Sequence, residues 1–363
     1  MSTNTVIAFA IASAISLAIA SRAHADTWSA YDVGAGQAYG LNDLGQVVGY
    51  NGSDAFVTGA DGVGLINLGR LGGSSAIAYG INRFGQVVGG VYNASGNVTA
   101  FITGANAVGV TYLGALGGFN SFAYGINSSG RAVGFAQTAD NYNNAFITGA
   151  NGSGMTSLGT LGGLQSGAYG INDSGQVVGY SNTVGGNNYA FVTRPNGVGM
   201  TSLGLIGQAN RINNLGQVVG FLGSSVEPTF ITGVNGVGVT VIDSMAYAYG
   251  INDLGQLAGT IYVGVNGNIP NAAITGPNGV GLINLNSLVA IGDGAVLTNA
   301  FAINNSGQVI ANASNGHAYL LTNNSSAPVP EPGKSSLMGL GLTLLLFVIK
   351  HRKTMINRMA ALA

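Results

Sequence analysis

Between Asp26 and Pro328 the chain has one histidine, five arginines, no lysine and eleven carboxylates, so few side chains are available for chemistry. His317 is therefore the only base that a Ser/His/Asp triad could use. It stands in a repeated phrase on a predicted strand, where a structural role is expected. Asp43, Asp173 and Asp253 recur at equivalent turn positions. Carboxylate pairs can cleave glycosides, but one acid per repeat places these on one rim, well separated. Asp in such a turn also serves backbone geometry through its own side-chain hydrogen bonds. Calcium takes roughly six to eight oxygens, often from several carboxylates, and no Asp-rich loop gathers them. With no cysteine, disulfides and Cys/His metal ligation are unavailable. No Gly-Lys-Ser/Thr follows the glycines, so they do not form a phosphate loop. The expectation is no catalytic residue, no metal and no cofactor.

The more suggestive residues lie in predicted loops of variable length. They are Tyr92 with Asn93, Tyr142 with Asn143, Asn188 with Tyr189, and Tyr262 at the start of a longer stretch to Asn271. Tyrosine offers a flat apolar face and a hydroxyl, and asparagine offers a donor and an acceptor together. That combination suits sugar rings, so these seven residues are the candidate ligand-binding set and an extracellular polysaccharide is the candidate partner.

The composition narrows the class. Only 6% of the 363 residues are charged, against roughly 25% in ordinary domains. The body from Asp26 to Pro328 carries a net charge of −6 with histidine neutral, so there is no basic stripe for nucleic acid. A hydrophobic content of 47% excludes a charge-rich disordered chain. The 62 glycines do not keep the every-third-residue period of collagen.

The elements that must position these residues come from an internal repeat. Ala-Tyr-Gly-Ile-Asn recurs with variants, ending at Asn42, Asn82, Asn127, Asn172, Asn213, Asn252 and Asn304. The period averages about 44 residues. Each copy carries four short apolar pieces rich in Val, Ile, Tyr, Phe and Thr and punctuated by Gly and Asn, a pattern that predicts strands. Tyr and Ile of the first piece share one face, with small residues on the other. The adjacent valines of Gln-Val-Val-Gly point to opposite faces, so both faces should be buried. No helical period competes between Asp26 and Thr322.

Four strands per unit and seven units predict an all-β, seven-bladed β-propeller. The seventh copy lacks its fourth piece, and Thr27 to Gly34 could supply it, closing the ring without a covalent bond and removing free edges. The alternative is a linear β-solenoid. A solenoid would suit a structural or ice-surface protein with a ladder of Thr58, Thr103, Thr148, Thr193, Thr232 and Thr275.

The stretches Leu158-Gly159-Thr160-Leu161-Gly162-Gly163, Ala168-Tyr169-Gly170-Ile171-Asn172 and Gly175-Gln176-Val177-Val178-Gly179 resemble the HAF family of bacterial extracellular repeats. Only His317-Ala318-Tyr319 keeps the histidine of the family's His-Ala-Phe signature. The resemblance implies a repeat fold outside the cell and no particular activity.

The two ends read as export devices. Residues 1–25 form an expected signal peptide, with an apolar run from Val6 to Ala20 and a cleavage site at Ala23-His24-Ala25. After the repeat region (26–322), a linker (323–334) holds Val329-Pro330-Glu331-Pro332. An apolar segment (335–349), predicted as a short transmembrane helix, precedes a basic tail (350–363) with a stop-transfer cluster of Lys350, Arg352 and Lys353. This tripartite tail resembles the PEP-CTERM sorting signal of Gram-negative bacteria. That likeness implies processing by an exosortase-type enzyme, transient residence in the inner membrane, and delivery to the cell surface or matrix. The expected function is an exported binding or scaffold protein; the alternative is a glycan-active enzyme on the same fold.

Overall fold

The computed structural model describes residues 28–223, 228–264 and 267–324. The signal peptide, Val329 to Pro332, the apolar segment 335–349 and the cluster Lys350, Arg352 and Lys353 lie outside the described residues. Among the described residues no helix is long and apolar enough to cross a membrane. They form short strands joined by tight turns and three-residue 3₁₀ turns.

Each repeat folds as an antiparallel meander. In the first, strands Gln37–Leu41, Val47–Asn51, Asp54–Thr58 and Leu65–Gly69 pair in chain order. The first two meet in a turn held by Asn42, whose Oδ1 accepts from the N–H groups of Leu44 (3.1 Å) and Gln46 (3.0 Å). The third and fourth meet through a 3₁₀ turn whose central residue, Asp61, has φ 52°. Asn106, Asn151, Asn196, Asn235 and Asn278 hold the same place in later repeats, with φ between 53° and 61°. Asn and Asp tolerate this left-handed region because their short polar side chains bond the local backbone. This recurring turn was not foreseen in the sequence.

The adjacent hydrophobic residues of each second strand do face opposite ways. Val47 and Val48 are both fully buried but belong to different clusters, as do Val177 and Val178. Seven apolar clusters result, each filled from two neighbouring repeats. One of them packs Ile310, Ala318 and Leu320 of the last repeat against Val33, Ala38, Val47 and Phe56 at the start of the chain. The repeated Ala-Phe phrase and its Thr229-Phe230 variant supply the bulk: Phe101, Phe146, Phe191 and Phe230 are completely buried.

Strand Trp28–Ala35 pairs antiparallel with His317–Asn323, from Trp28 opposite Asn323 to Ala35 opposite His317, completing the sheet begun by Leu297–Ile303 and Val309–Ala313. The N-terminal segment thus fills the place left open in the seventh copy. One strand, Val198–Ile212, runs through two repeats: its first half pairs with Asn188–Arg194 and its second half with Val218–Leu222.

This is β-propeller architecture. A linear solenoid would leave its terminal repeats unpaired, whereas here the last repeat packs and bonds to the first. The threonine ladder must also be corrected. Thr58, Thr103, Thr148, Thr193, Thr232 and Thr275 are at most 3% exposed, so they form no surface for ice. Thr58 Oγ1 instead accepts from Val47 N–H (2.9 Å) and donates to the Gly59 carbonyl (2.9 Å), tying the second and third strands together.

Candidate functional site

The innermost strand of every repeat carries the Ala-Tyr-Gly-Ile-Asn phrase, and its two ends build two different rings. At the turn end, the Nδ2 of each phrase asparagine donates to the main-chain oxygen of the next. The series runs Asn42, Asn82, Asn127, Asn172, Asn213, Asn252, Asn304 and back to Asn42, with distances of 3.0–3.1 Å. All seven side chains are buried.

Outside that ring a second relay runs through the following residues. Ser128 N–H donates to Asp173, Asp173 N–H to Asn214, Asn214 N–H to Asp253, Asp253 N–H to Asn305, and Asn305 N–H to Asp43, all at 2.9–3.0 Å. These residues line a cavity of about 370 Å³. Asp43, Asp173 and Asp253 lie on one rim as expected, but they are not well separated throughout. Asn305 Nδ2 donates to Asp43 Oδ2 and to Asp253 Oδ2, at 3.2 Å each. The asparagine of the intervening turn draws the two carboxylates together.

Toward the other end of the innermost strands lies an aromatic arc. In every repeat the ladder shifts register at the phrase's second residue, from Ala38/Gly40 in the first copy to Ala300/Ala302 in the last. Such a bulge re-aims the extra residue, and that residue is Tyr39, Tyr79, Tyr124, Tyr169, Tyr249 or Phe301 in six copies. Ring centroids step from Tyr169 to Tyr124 (5.0 Å), Tyr79 (5.2 Å), Tyr39 (4.4 Å), Phe301 (5.1 Å) and Tyr249 (4.9 Å). Burial, reinforced by neighbouring tyrosines, pushes the hydroxyls of Tyr39, Tyr79, Tyr124 and Tyr169 above the usual phenol value.

The arc is interrupted at the fifth copy, which reads Ala209-Asn210-Arg211-Ile212-Asn213. Asn210 takes the aromatic position and donates to the Ala248 carbonyl (2.8 Å). Arg211 takes the glycine position, and its Nη1 donates to the carbonyls of Tyr169 and Asn210, both at 2.9 Å. Desolvation pulls its pKa down to about 10, against the opposing influence of Tyr79. The described residues contain two ion pairs, Arg70–Asp54 and His317–Asp32, so Arg211 has no carboxylate partner among them. The six aromatic residues, Gln208, Asn210 and Arg211 enclose a cavity of about 230 Å³.

The predicted loop residues occupy other places. Tyr92 ends strand Val87–Tyr92, Asn143 opens Asn143–Thr148, Asn188 and Tyr189 open Asn188–Arg194, and Tyr262 lies in Leu257–Val263; Asn93 and Tyr142 remain in turns. All seven flank the hairpins between second and third strands. These hairpins share an end with the start of the innermost strand, as shown by Gln37 opposite Tyr50. Among the described residues no hydrogen bond or ring contact joins the members of one repeat to those of another; Tyr92 instead meets Phe122, with centroids 6.4 Å apart. The set is therefore a dispersed rim above the aromatic arc. His317 Nδ1 lies 2.9 Å from Asp32 Oδ2 on the surface, bridging the closing strand to its partner.

Sequence reasoning placed Tyr and Ile on a common face but did not identify that face as the lining of a channel. A signal was present: Arg211 is the one charged residue in seven copies of an otherwise uncharged phrase.

No family model matches the chain, and no curated protein matches it. Solved structures do. A structure titled "YCF48 bound to D1 peptide" aligns with a TM-score of 0.50 at 10% identity, covering 82% of this chain and 97% of its own. YCF48 from Cyanidioschyzon merolae aligns at 0.48 and 10% identity, covering 82% and 99%. The first likeness places the chain among β-propellers.

Proposed function

We propose that the chain is an exported, seven-bladed propeller whose channel end and rim bind extracellular polysaccharide, making it a surface or matrix binding and scaffold protein. The observation that carries this reading is the contiguous arc of six aromatic rings in a cavity, beneath a rim bearing Tyr142 and Tyr262, which are 38% and 48% exposed. Aromatic faces backed by amides are the groups that sugar rings use. The blade count is supported by seven shared clusters and by the asparagine cycle that returns to Asn42. YCF48, the compared propeller, is described with a bound peptide, which is consistent with a binding role for such a scaffold.

The export reading rests on the PEP-CTERM-like tail, Val329-Pro330-Glu331-Pro332 with Lys350, Arg352 and Lys353. An exosortase-type enzyme would remove it after transient residence in the inner membrane. Two experiments test these readings. Retention of the full chain on immobilised polysaccharides should occur and should fall when Tyr142 and Tyr262 are changed to Ala; retention on none removes the binding reading. Glu331→Ala should leave the protein in the membrane fraction; unchanged release removes the sorting reading.

A second reading, glycan cleavage, is favoured by the carboxylates of Asp43 and Asp253 meeting at Asn305. Reducing-end release that disappears in Asp253→Asn would support it.

A further inference from the structure

Arg211 has an unusual position in this fold. Every other copy of the phrase has glycine or alanine there, and the adjoining position is aromatic in the other six. The substitution places one cation at the only gap in the aromatic arc. It lines the same cavity as Tyr39, Tyr79, Tyr124 and Tyr169.

Two of the guanidinium's hydrogen bonds, both from Nη1, go to backbone carbonyls. Those bonds hold its plane but do not neutralise it, and neither ion pair among the described residues involves it. Arg211 is partly buried, and a charge held partly out of water without a counter-ion is unfavourable; a guanidinium keeps its planar fork for a carboxylate. Asn210 and Gln208, whose side chains bond each other at 2.8 Å, add amide groups on the same wall. The opposite wall consists of aromatic rings.

We infer that the cavity ringed by Tyr39, Tyr79, Tyr124, Tyr169, Tyr249 and Phe301 is a binding site for a carboxylated sugar, a uronate, whose carboxylate pairs with Arg211. The ring of the sugar lies against tyrosine faces while its carboxylate supplies the missing counter-charge. A neutral hexose would satisfy the first contact but not the second. This deepens the polysaccharide reading and rests on it: it assigns acidic chains as the ligand class and the channel, rather than the rim, as the site of charge recognition.

The test is calorimetric titration of the full chain, held in detergent, with sodium glucuronate, glucose, the methyl ester of glucuronate and acetyl-Ala-Ala as the free acid. Saturable binding of glucuronate is expected, with glucose and the ester weaker by about tenfold or more, the scale of one charge-assisted hydrogen bond. Arg211→Met should abolish binding, and Arg211→Lys should weaken it while keeping the charge. Melting curves identify any variant that fails to fold; should Arg211→Met do so, Arg211→Lys carries the test. Four results overturn the inference: no saturable glucuronate binding, equal binding of glucose, unchanged affinity in the folded Arg211 variant, or tighter binding of the peptide acid than of glucuronate. Retention on neutral polysaccharide without glucuronate binding overturns this inference alone and leaves the rim reading standing.

Discussion

Asn304 donates from its side-chain nitrogen to the backbone oxygen of Asn42 at 3.0 Å, joining residues 262 apart in sequence. The same bond recurs between every pair of neighbouring repeats. Each asparagine also folds its own turn, so one side chain sets both the local bend and the distance to the next repeat.

Replacing one of these asparagines should therefore cost more than a surface turn does. Asn213 Oδ1 accepts from Leu215 and Gln217 N–H, while its Nδ2 donates to Gln217 Oε1 and the Asn252 carbonyl, all at 2.9–3.1 Å. Asn213→Ala should lower unfolding free energy by about 2–4 kcal/mol, because buried backbone groups lose their partners. Asn213→Asp keeps the acceptor but turns a charge toward two oxygens. Its loss should be largest at neutral pH and shrink as the pH falls and the carboxyl protonates. Urea denaturation at two pH values measures both.

The joint between the chain's ends depends on apolar packing more than on its ion pair. Leu320 is 2% exposed in the cluster that unites the last and first repeats, so Leu320→Ala should cost about 2–5 kcal/mol. Asp32→Asn removes the exposed pair with His317 and should cost less than about 1 kcal/mol. Thermal melts of the two variants should separate clearly.

Backbone proximity at the innermost strands predicts a contrast between two glycines. A Cβ on Gly250 would lie 2.9 Å from Ala302 Cα in the neighbouring repeat, whereas one on Gly292 would meet nothing within 4 Å. Gly250→Ala should destabilise by about 1–3 kcal/mol through overpacking. Gly292→Ala should stay within about 0.5 kcal/mol of the parent.

High pH should expose the aromatic arc. Burial raises the hydroxyls of Tyr39, Tyr79, Tyr124, Tyr169 and Tyr180 above the ordinary value of 10.0. Unfolded tyrosines ionise near that value, so the stability contributed by these neutral phenols is complete below about pH 10 and is lost as pH rises through their native values. Ultraviolet difference absorbance should show a late tyrosine step that denaturant moves down to the ordinary value. Tyr124→Phe should shorten it.

Much of the fold was legible because the repeat carries its own punctuation. Gly and Asn punctuation marked the strand ends, the paired valines announced sheets buried on both faces, and the missing fourth piece pointed to Trp28–Ala35. The site was less legible for physical reasons. Tyr92, Asn143, Asn188, Tyr189 and Tyr262 read as loop residues because polar and aromatic letters beside glycine look the same in a hairpin tip and at a strand end. The bulge that turns Tyr39 and its counterparts inward leaves no mark in the residue pattern. The contact between Asp43 and Asp253 goes through Asn305, in a turn far along the chain. Arg211 stood out only as a departure from its own repeat.

The strand His317–Asn323 has neighbours on both sides, Val309–Ala313 and Trp28–Ala35. Any pull transmitted through the chain beyond Asn323 therefore acts on an interior strand. It must shear two hydrogen-bonded ladders at once instead of unzipping one from an edge. A protein tethered by its C-terminal side while gripping a ligand would carry the load through a strand paired on both sides, and the segment that supplies the second ladder comes from the opposite end of the chain.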